Sequence, residues 1–397
     1  MVARTNHGIV RLAAALGLIV GSGCDRTTSA DVDPSDRAKA AASASAAAAP
    51  VAAASASVRT PASVFGGEVP SAAPSQAAPA ATAISRGKVP TSLSQNPPHA
   101  IKGEPRGPID VSRDGSWLRR MSHAAITKAT QNKGGSTVTI RLYFEDGYRA
   151  VLKADQKKSA TNYRSEIVAY HLDRLLGCGR TAPVVGRTLP RAALRRLLEA
   201  SGTDPTFLTR FDAELNEPQP DTIRGAVIAW HEKRLHSLEV PRAWPKWLGT
   251  GTGETQPTPG NQPIPKEITR QLSALEELTA FDYLLDNTDR WSGGNTLLLG
   301  PGGPMIFLDN GAGFADWRMQ RKLALDADLN RLCAFPEGLV ENLRALGPGV
   351  PPAQRLSKRL ERSLARDPLA PLLSDEHLAA LDWRLARLLA HIEACRR

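Results

Sequence analysis

The stretch FLDNGAGF, Phe307 to Phe314, puts a carboxylate and an amide at the end of an apolar run and follows them at once with two glycines. A carboxylate at a strand end, with glycines freeing the backbone behind it, is a common way to hold a divalent cation and a common way to make a plain turn. Asp309 is that carboxylate. Asp289 stands twenty positions earlier in DNTDRW, where an aspartate can accept the proton of an attacking hydroxyl while Arg290 fixes the loop. Asn295 follows six positions after Asp289 and offers an amide oxygen to a metal; the plainer alternative is a helix C-terminal turn, which favours Asn and Asp. Lys153 ends a candidate strand, and Glu166 lies thirteen positions on, in a candidate helix. A lysine held by a glutamate presents a fixed cation to phosphates. Each feature alone is weak, because surface strands often end in Lys and helices often begin with Glu. The chain order Lys, helix Glu, base Asp, metal Asp is far more specific than any member of it.

These residues need elements to position them. Val138, Ile140, Leu142 and Phe144 alternate, Glu145-Asp146-Gly147 is a turn, and Tyr148 to Leu152 is a second run, so a β-hairpin carries Lys153. The spacing of Ile167, Tyr170, Leu172 and Leu175 predicts a helix over 159–176 that carries Glu166. A further helix is expected over 116–129, with Trp117, Leu118, Met121 and Ile126 as its apolar side. TAPVVGRTL and 222–230 read as strands. A Gly, Thr, Pro and Gln-rich loop over 248–265 precedes one long helix from Lys266 to about Leu285, and Asp289 lies just beyond its end. Met305 to Leu308 is a short buried strand that delivers Asp309. After Asp309 the chain is helical. Ser374-Asp375-Glu376 caps a last helix with Leu378, Leu381, Trp383, Leu385 and Leu389 as apolar positions. No internal repeat is visible. The expected class is α+β: a small β-rich N-lobe over about 106–235, a larger helical C-lobe over about 236–397, and a ligand cleft between them.

The remaining sequence bounds the setting. The 397 residues carry a formal net charge of +10 and a pI near 9.7, a balance that favours anionic partners. Zinc-type cysteine pairs, recognition-helix signatures and aromatics interleaved with Arg are missing, so nucleic acid is not expected. Arg4 and Arg11 lead into LAAALGLIVGSGC, a secretory pattern too short for a good membrane span. Gly21-Ser22-Gly23-Cys24 resembles a bacterial lipoprotein cleavage site, with Cys24 lipidated and Gly where that motif usually has Leu. The expected location is the periplasmic or cell-surface side of a bacterial membrane. Residues 25–105, rich in Ala, Ser and Pro, are expected to form a disordered tether. Of the later cysteines, Cys178, Cys333 and Cys395, either two form a disulfide and one stays free, or all three are buried apolar residues.

FDYLLDNTDRWSGGN followed by IFLDNGAGF resembles the catalytic region of the four-jointed and secretory-pathway kinases, the Golgi casein-kinase-like family. SEIVAYHLDRLLGCGRTAPVVGR resembles that family's helix and following strand. The resemblance covers roughly 134–335, with an insertion around 189–221. It implies a two-lobed atypical kinase fold, ATP with Mn²⁺ or Mg²⁺, and phosphorylation of exported proteins or glycans. It also implies that Lys153 is the nucleotide lysine, Glu166 the helix glutamate that also approaches the metal, Asp289 the catalytic aspartate and Asp309 the metal aspartate. Two departures stand out. Gly293-Gly294 push Asn295 one position beyond the family's metal-side residue, and Gly134-Gly135 is the only candidate for a phosphate loop.

Other motifs carry less. HEKRLH, His231 to His236, has one residue too many for HExxH and reads as a polar connection between lobes rather than a zinc site. Ser85-Arg86-Gly87-Lys88 matches an acylating SxxK spacing but lies in the tether. No P-loop sequence is present. The arginine tracts over 191–196 and 355–366 read as solvated helix faces or, more sharply, as docking sites for an acidic substrate. The expectation is therefore an exported, monomeric, lipid-anchored kinase acting on Ser or Thr of envelope or secreted proteins. The rivals are a glycan or small-molecule kinase, a pseudokinase that binds without transfer, and a purely structural lipoprotein.

Overall fold

The computed structural model describes residues 83–87, 103–133, 136–157, 162–240, 244, 265–291, 294–314 and 322–397. The chain divides into Met1–Ser75 and Gln76–Arg397, and every described residue belongs to the second unit. The signal segment, Cys24, Lys88, the Gly134-Gly135 pair and almost all of the 248–265 loop lie outside the described residues.

Five antiparallel strands form the first sheet: β1 (Ile126–Gln131), β2 (Thr139–Phe144), β3 (Arg149–Ala154), β4 (Val184–Pro190) and β5 (Thr222–Ala229), in the order β1-β2-β3-β5-β4. The expected hairpin is β2–β3. Its alternation is clean, with Ala150, Leu152 and Ala154 buried and Arg149, Val151 and Lys153 on the other face. Lys153 is not at a free end: it pairs with Thr139 on one side and Ala226 on the other. Gly225 sits in β5 next to β3; a Cβ there would meet the Lys153 carbonyl oxygen at 2.4 Å. Helices α1 (Asp114–His123) and α2 (Tyr163–Leu176) pack against β4 and β5. The insertion between β4 and β5 holds α3 (Arg191–Ala200) and α4 (Pro205–Glu214).

A small second sheet, β6 (Leu235–Ser237), β7 (Leu297–Leu299) and β8 (Met305–Ile306), is antiparallel in chain order. The rest is helical: α5 (Lys266–Thr269), α6 (Leu272–Leu285), α7 (Lys322–Leu329), α8 (Glu337–Arg344), α9 (Leu356–Leu364) and α10 (Asp375–Cys395). Among the described residues no helix is long and apolar enough to cross a membrane.

Several expectations needed correction. The helix expected over 116–129 starts at Asp114 and stops at His123, and Ile126 opens β1 instead, where the β-branched Ile126, Thr127 and Thr130 suit a pleated edge. The single helix expected from Lys266 is two, broken at Arg270-Gln271. The Gln271 side chain there donates to the Gly303 carbonyl and accepts from the Met305 amide, so it serves the β7–β8 turn. The strand expected over 305–308 pairs only at Met305 and Ile306. Trp383 is not on the apolar side of α10. It stands about 200° round the helix from Leu381 and is 43% exposed. Part of the stretch assigned to the tether is docked: Ile84 is buried and exchanges backbone hydrogen bonds of 2.9 and 3.0 Å with Ile126, and Arg86 pairs with Glu145 at 2.7 Å. A backbone bridge on the open edge of β1 pairs groups that would otherwise stay open, and the Ile84 side chain is buried beside it, which a composition average does not reveal. Cys333 and Cys395 form a disulfide, and Cys178 is free and buried.

Candidate functional site

A cleft of about 720 Å³ lies between the two sheets, lined among others by Arg141, Val151, Lys153, Ile228, Trp230, His231, Leu297, Leu308 and Asp309. Its size suits a ligand of a few rings and charged groups. One wall is the face of the first sheet opposite its helices. The back is the β5–β6 connection, Trp230 to Arg234, which with the start of β6 contains HEKRLH. That connection was expected to be polar and unremarkable; here Trp230 to Leu235 all face the cleft. Trp230 carries the Arg141 guanidinium over its ring at 4.2 Å. Burial holds the His231 imidazole down to about 4, so it is neutral near pH 7.

Lys153 is the electrostatic centre. Its Nζ donates to Glu166 Oε1 at 2.5 Å and to Asp309 Oδ1 at 2.6 Å. Burial alone would lower the lysine, but Glu166 and Asp309 outweigh it and hold the ammonium above its ordinary range. Lys153 in turn holds the Asp309 carboxyl below the usual carboxylate range. Glu166 is 1% exposed, whereas the Asp309 side chain is 54% exposed at the cleft.

Local structure brings these three together. Asn162 caps α2 by accepting from the Arg164 amide, and its own amide donates to the Gly311 carbonyl at 2.8 Å. Ser165 Oγ donates to the Gly313 carbonyl. The first turn of α2 is thus tied to the turn after Asp309, which sets Glu166 beside it. Farther along α2, Arg174 forks onto Asp114 at 2.6 and 3.2 Å, while Asp173 accepts the amides of Gly179, Arg180 and Thr181. The glycines were expected to supply unusual backbone angles. Instead Asp309 and Phe314 take the positive φ values, 57° and 44°. Gly313 is needed for space: a Cβ there would meet Leu285 Cγ at 2.6 Å.

Arg290 is fully buried and does not face the cleft. Its fork grips Asp282 at 2.8 and 2.9 Å, its other donors reach the Asn295 and Leu308 carbonyls and, at 2.7 Å, Asn310 Oδ1. Burial opposes its charge, but Asp282 outweighs that and holds the guanidinium above its ordinary range. It joins α6, the loop after it and the turn at Asp309, so it positions rather than reacts. Asp289 is exposed on that loop, its amide bonded to Asn287 Oδ1. Asn295 donates its side-chain amide to the Asp289 carbonyl at 3.0 Å and so closes the loop. Neither Asp289 nor Asn295 lines the cleft. Sequence reasoning missed Asp282, Asn287 and Asn310. DYLLDNTDR contains both partners, since a buried arginine needs a carboxylate and Asp282 lies eight positions before Arg290, but nothing in the sequence marks Arg290 as buried.

A hard divalent cation requires oxygen donors. Glu166 and Asp309 supply carboxylates at the cleft and fit that chemistry, though both now meet on one ammonium. Among the described residues they do not gather a third carboxylate, so remaining ligands would be neutral oxygens, water or the bound substrate. The one compact His/Cys/acid cluster among the described residues, Cys333, His391 and Cys395, has its two sulfurs bonded to each other.

Comparison with known proteins agrees with the resemblance. The family model described as Golgi casein kinase, C-terminal, Fam20, matches residues 112–201 and 261–397. The chain is 25% identical over 321 residues to a human glycosaminoglycan xylosylkinase, across 72% of this chain and 76% of that protein. It is 27% identical over 259 residues to the mouse pseudokinase FAM20A, across 59% of this chain and 47% of that protein, so it spans about half of that relative's length. The fold matches the crystal structure of the Golgi casein kinase with Mn/ADP bound, with a TM-score of 0.56 and 20% identity over 72% of this chain and 77% of that one.

Proposed function

The chain belongs to the Golgi casein kinase (Fam20) family, and on that premise we propose that it is a kinase that transfers the γ-phosphate of ATP to a hydroxyl, with Mn²⁺ or Mg²⁺ as cofactor. The acceptor we assign is Ser or Thr of an exported protein. The single observation that carries the proposal is the Lys153 ammonium held between Glu166 and Asp309 in the wall of a 720 Å³ cleft. A cation fixed by two carboxylates, with Arg141 and Arg149 on the same wall, is built for a polyphosphate.

Each residue then has a role. Lys153 neutralises phosphate oxygens and is kept in place by Glu166. The base sits over the apolar surface of Val151, Ile228 and Leu308, with Trp230 at the back. Asp309 and Glu166, with Asn295 as a further candidate, are the protein oxygens that hold the metal; when bound, it offsets the charge that develops on the transferring phosphoryl group. Asp289 orients the acceptor hydroxyl and takes its proton, while Arg290 fixes the loop that presents it. Most of the acceleration comes from positioning and charge neutralisation. Gly134-Gly135 is the proposed phosphate-side turn.

The deciding test uses γ-labelled ATP with Mn²⁺ or Mg²⁺, the parent chain, Asp289→Ala and Asp309→Ala, and casein as acceptor. Label on casein that is lost in both variants supports the proposal. Binding of nucleotide without transfer under every metal supports a pseudokinase instead, a reading favoured by the 27% likeness to FAM20A. Transfer to a xyloside but not to casein supports a glycan kinase, favoured by the likeness to the xylosylkinase. We further propose export under the signal at residues 1–24, lipidation at Cys24 and a tether that ends before Ile84. Palmitate labelling that survives Cys24→Ala removes the anchor from this picture.

A further inference from the structure

The loop that bears Asp289 begins at the last turn of α6, and the four carbonyls that a helix end leaves open are all taken there. The Asn287 amide donates to the Asp282 carbonyl at 2.9 Å and the Asp286 amide to the Tyr283 carbonyl at 3.4 Å, with Asp286 itself in the left-handed region at a φ of 61°. The other two carbonyls are served from far along the chain. Phe314, at the end of the turn after Asp309, donates its amide to the Leu285 carbonyl at 3.0 Å. Arg384 of α10 donates Nε to the Leu284 carbonyl at 2.9 Å. The same guanidinium lies over the Phe314 ring at 5.1 Å. His377, about two turns earlier on α10, meets that ring at 5.8 Å in a T-shaped contact.

Arg384 is buried. The Asp286 carboxylate stands 3.9 Å from its Nη1, and Nη2 has no hydrogen-bond partner among the described residues. Burial holds the guanidinium below its ordinary range, and Asp286 offsets this only in part. A cation so loosely matched costs free energy to bury, and an apolar side chain of similar volume would serve plain packing better. What the arginine supplies is a planar group that reaches two segments at once: the start of the Asp289 loop and the end of the Asp309 turn. Arg290 holds the far end of that loop. Transfer requires the two aspartates at a fixed separation, since an error of about 1 Å in placement costs on the order of a hundredfold in rate. We propose that Arg384 is a positioning residue for phosphoryl transfer, which keeps the Asp289 loop and the Asp309 turn in register from α10. The proposal rests on the kinase reading. Arg384 does not line the cleft, so the grip of Lys153 on a nucleotide does not depend on it.

The test compares the full chain with Arg384→Met, Arg384→Lys and Ile392→Ala. Ile392 is buried farther along the same helix, so its variant controls for a weakened α10. The single-turnover rate is measured with γ-labelled ATP and whichever of casein or a xyloside the parent chain labels. The Kd of a fluorescent ATP analogue and amide hydrogen exchange over 286–291 and 309–314 are measured beside it. Arg384→Met should lower the rate about a hundredfold while the Kd stays within about threefold of the parent, and both segments should exchange faster together. Arg384→Lys should recover part of the rate, because an ammonium can still donate to the Leu284 carbonyl. Ile392→Ala should lower the urea midpoint yet keep the parental rate and the parental exchange in both segments. A parental rate in Arg384→Met overturns the proposal and leaves the kinase reading standing. So does faster exchange in only one segment, or a loss of rate in Ile392→Ala that matches Arg384→Met. A parent chain that transfers no phosphate under any metal overturns the kinase reading and this proposal with it.

Discussion

At the scale of single residues, the site is one ammonium between two carboxylates with unequal duties. Glu166 is buried and keeps Lys153 in place; Asp309 is half exposed and free to turn further toward a second cation. Lys153→Met should therefore weaken nucleotide binding as well as transfer, whereas Asp309→Asn should spare much of the binding and lower transfer by on the order of a hundredfold or more. Titration of a fluorescent ATP analogue beside single-turnover labelling separates the two. Arg290 has a structural duty. Removing one partner of a buried pair leaves an uncompensated charge, so Arg290→Met and Asp282→Asn should each cost roughly 3–5 kcal/mol. The double variant should cost clearly less than their sum, as urea unfolding would measure; a simply additive pair would show that the fork at 2.8 and 2.9 Å contributes little.

At the scale of elements, the site depends on α2 being fastened to the turn after Asp309. Asn162 and Ser165 donate to the carbonyls of Gly311 and Gly313, and Gly313 lies against Leu285 of α6. A methyl group at Gly313 would push the turn away from α6 and, through those bonds, shift α2. Gly313→Ala should cost roughly 1–3 kcal/mol and also lower transfer more than nucleotide binding, since Glu166 and Asp309 would separate while the sheet wall stays intact. Loss of stability with unchanged transfer would mean that α2 does not follow the turn.

At the scale of the whole molecule, two features act on stability away from the cleft. The Cys333–Cys395 disulfide closes a loop of 62 residues, which in the chain-entropy view is worth roughly 4 kcal/mol; Cys333→Ser/Cys395→Ser should lower the urea midpoint accordingly. His171 is buried against Ser363 Oγ at 2.7 Å, and burial holds its imidazole down to about 3. The unfolded chain takes up that proton below about pH 6.5, the folded chain only near pH 3. The histidine's contribution is present above about 6.5 and is lost as pH falls, at about 1.4 kcal/mol per pH unit. His171→Gln keeps a partner for Ser363 and should flatten the stability profile between pH 4 and 6 by that slope. Asp367 runs the other way, since burial pushes its carboxyl up to about 6, but its effect is common to both proteins and cancels.

Hydrophobic spacing and residue order by themselves determined the hairpin that bears Lys153, the helix that bears Glu166, the capped last helix and the family to which DNTDRW and FLDNGAGF belong. Those features are local: strand alternation, helical periodicity and capping are set within a few residues of chain. Only the tertiary structure decided what depends on neighbours distant in sequence. Gln271 breaks a helix because a turn thirty residues away takes its side chain, and Ile84 is docked because β1 offers an open edge. Arg290 is a clamp because Asp282 and Asn310 enclose it. Trp230 faces a cleft that exists only once both sheets are in place. Along the chain the arginine tract over 191–196 reads as a solvated helix face, and only the fold pairs its Arg195 with Asp212 of α4. A sequence states which groups are present, and burial and pairing, which set their energies, arise when remote segments meet.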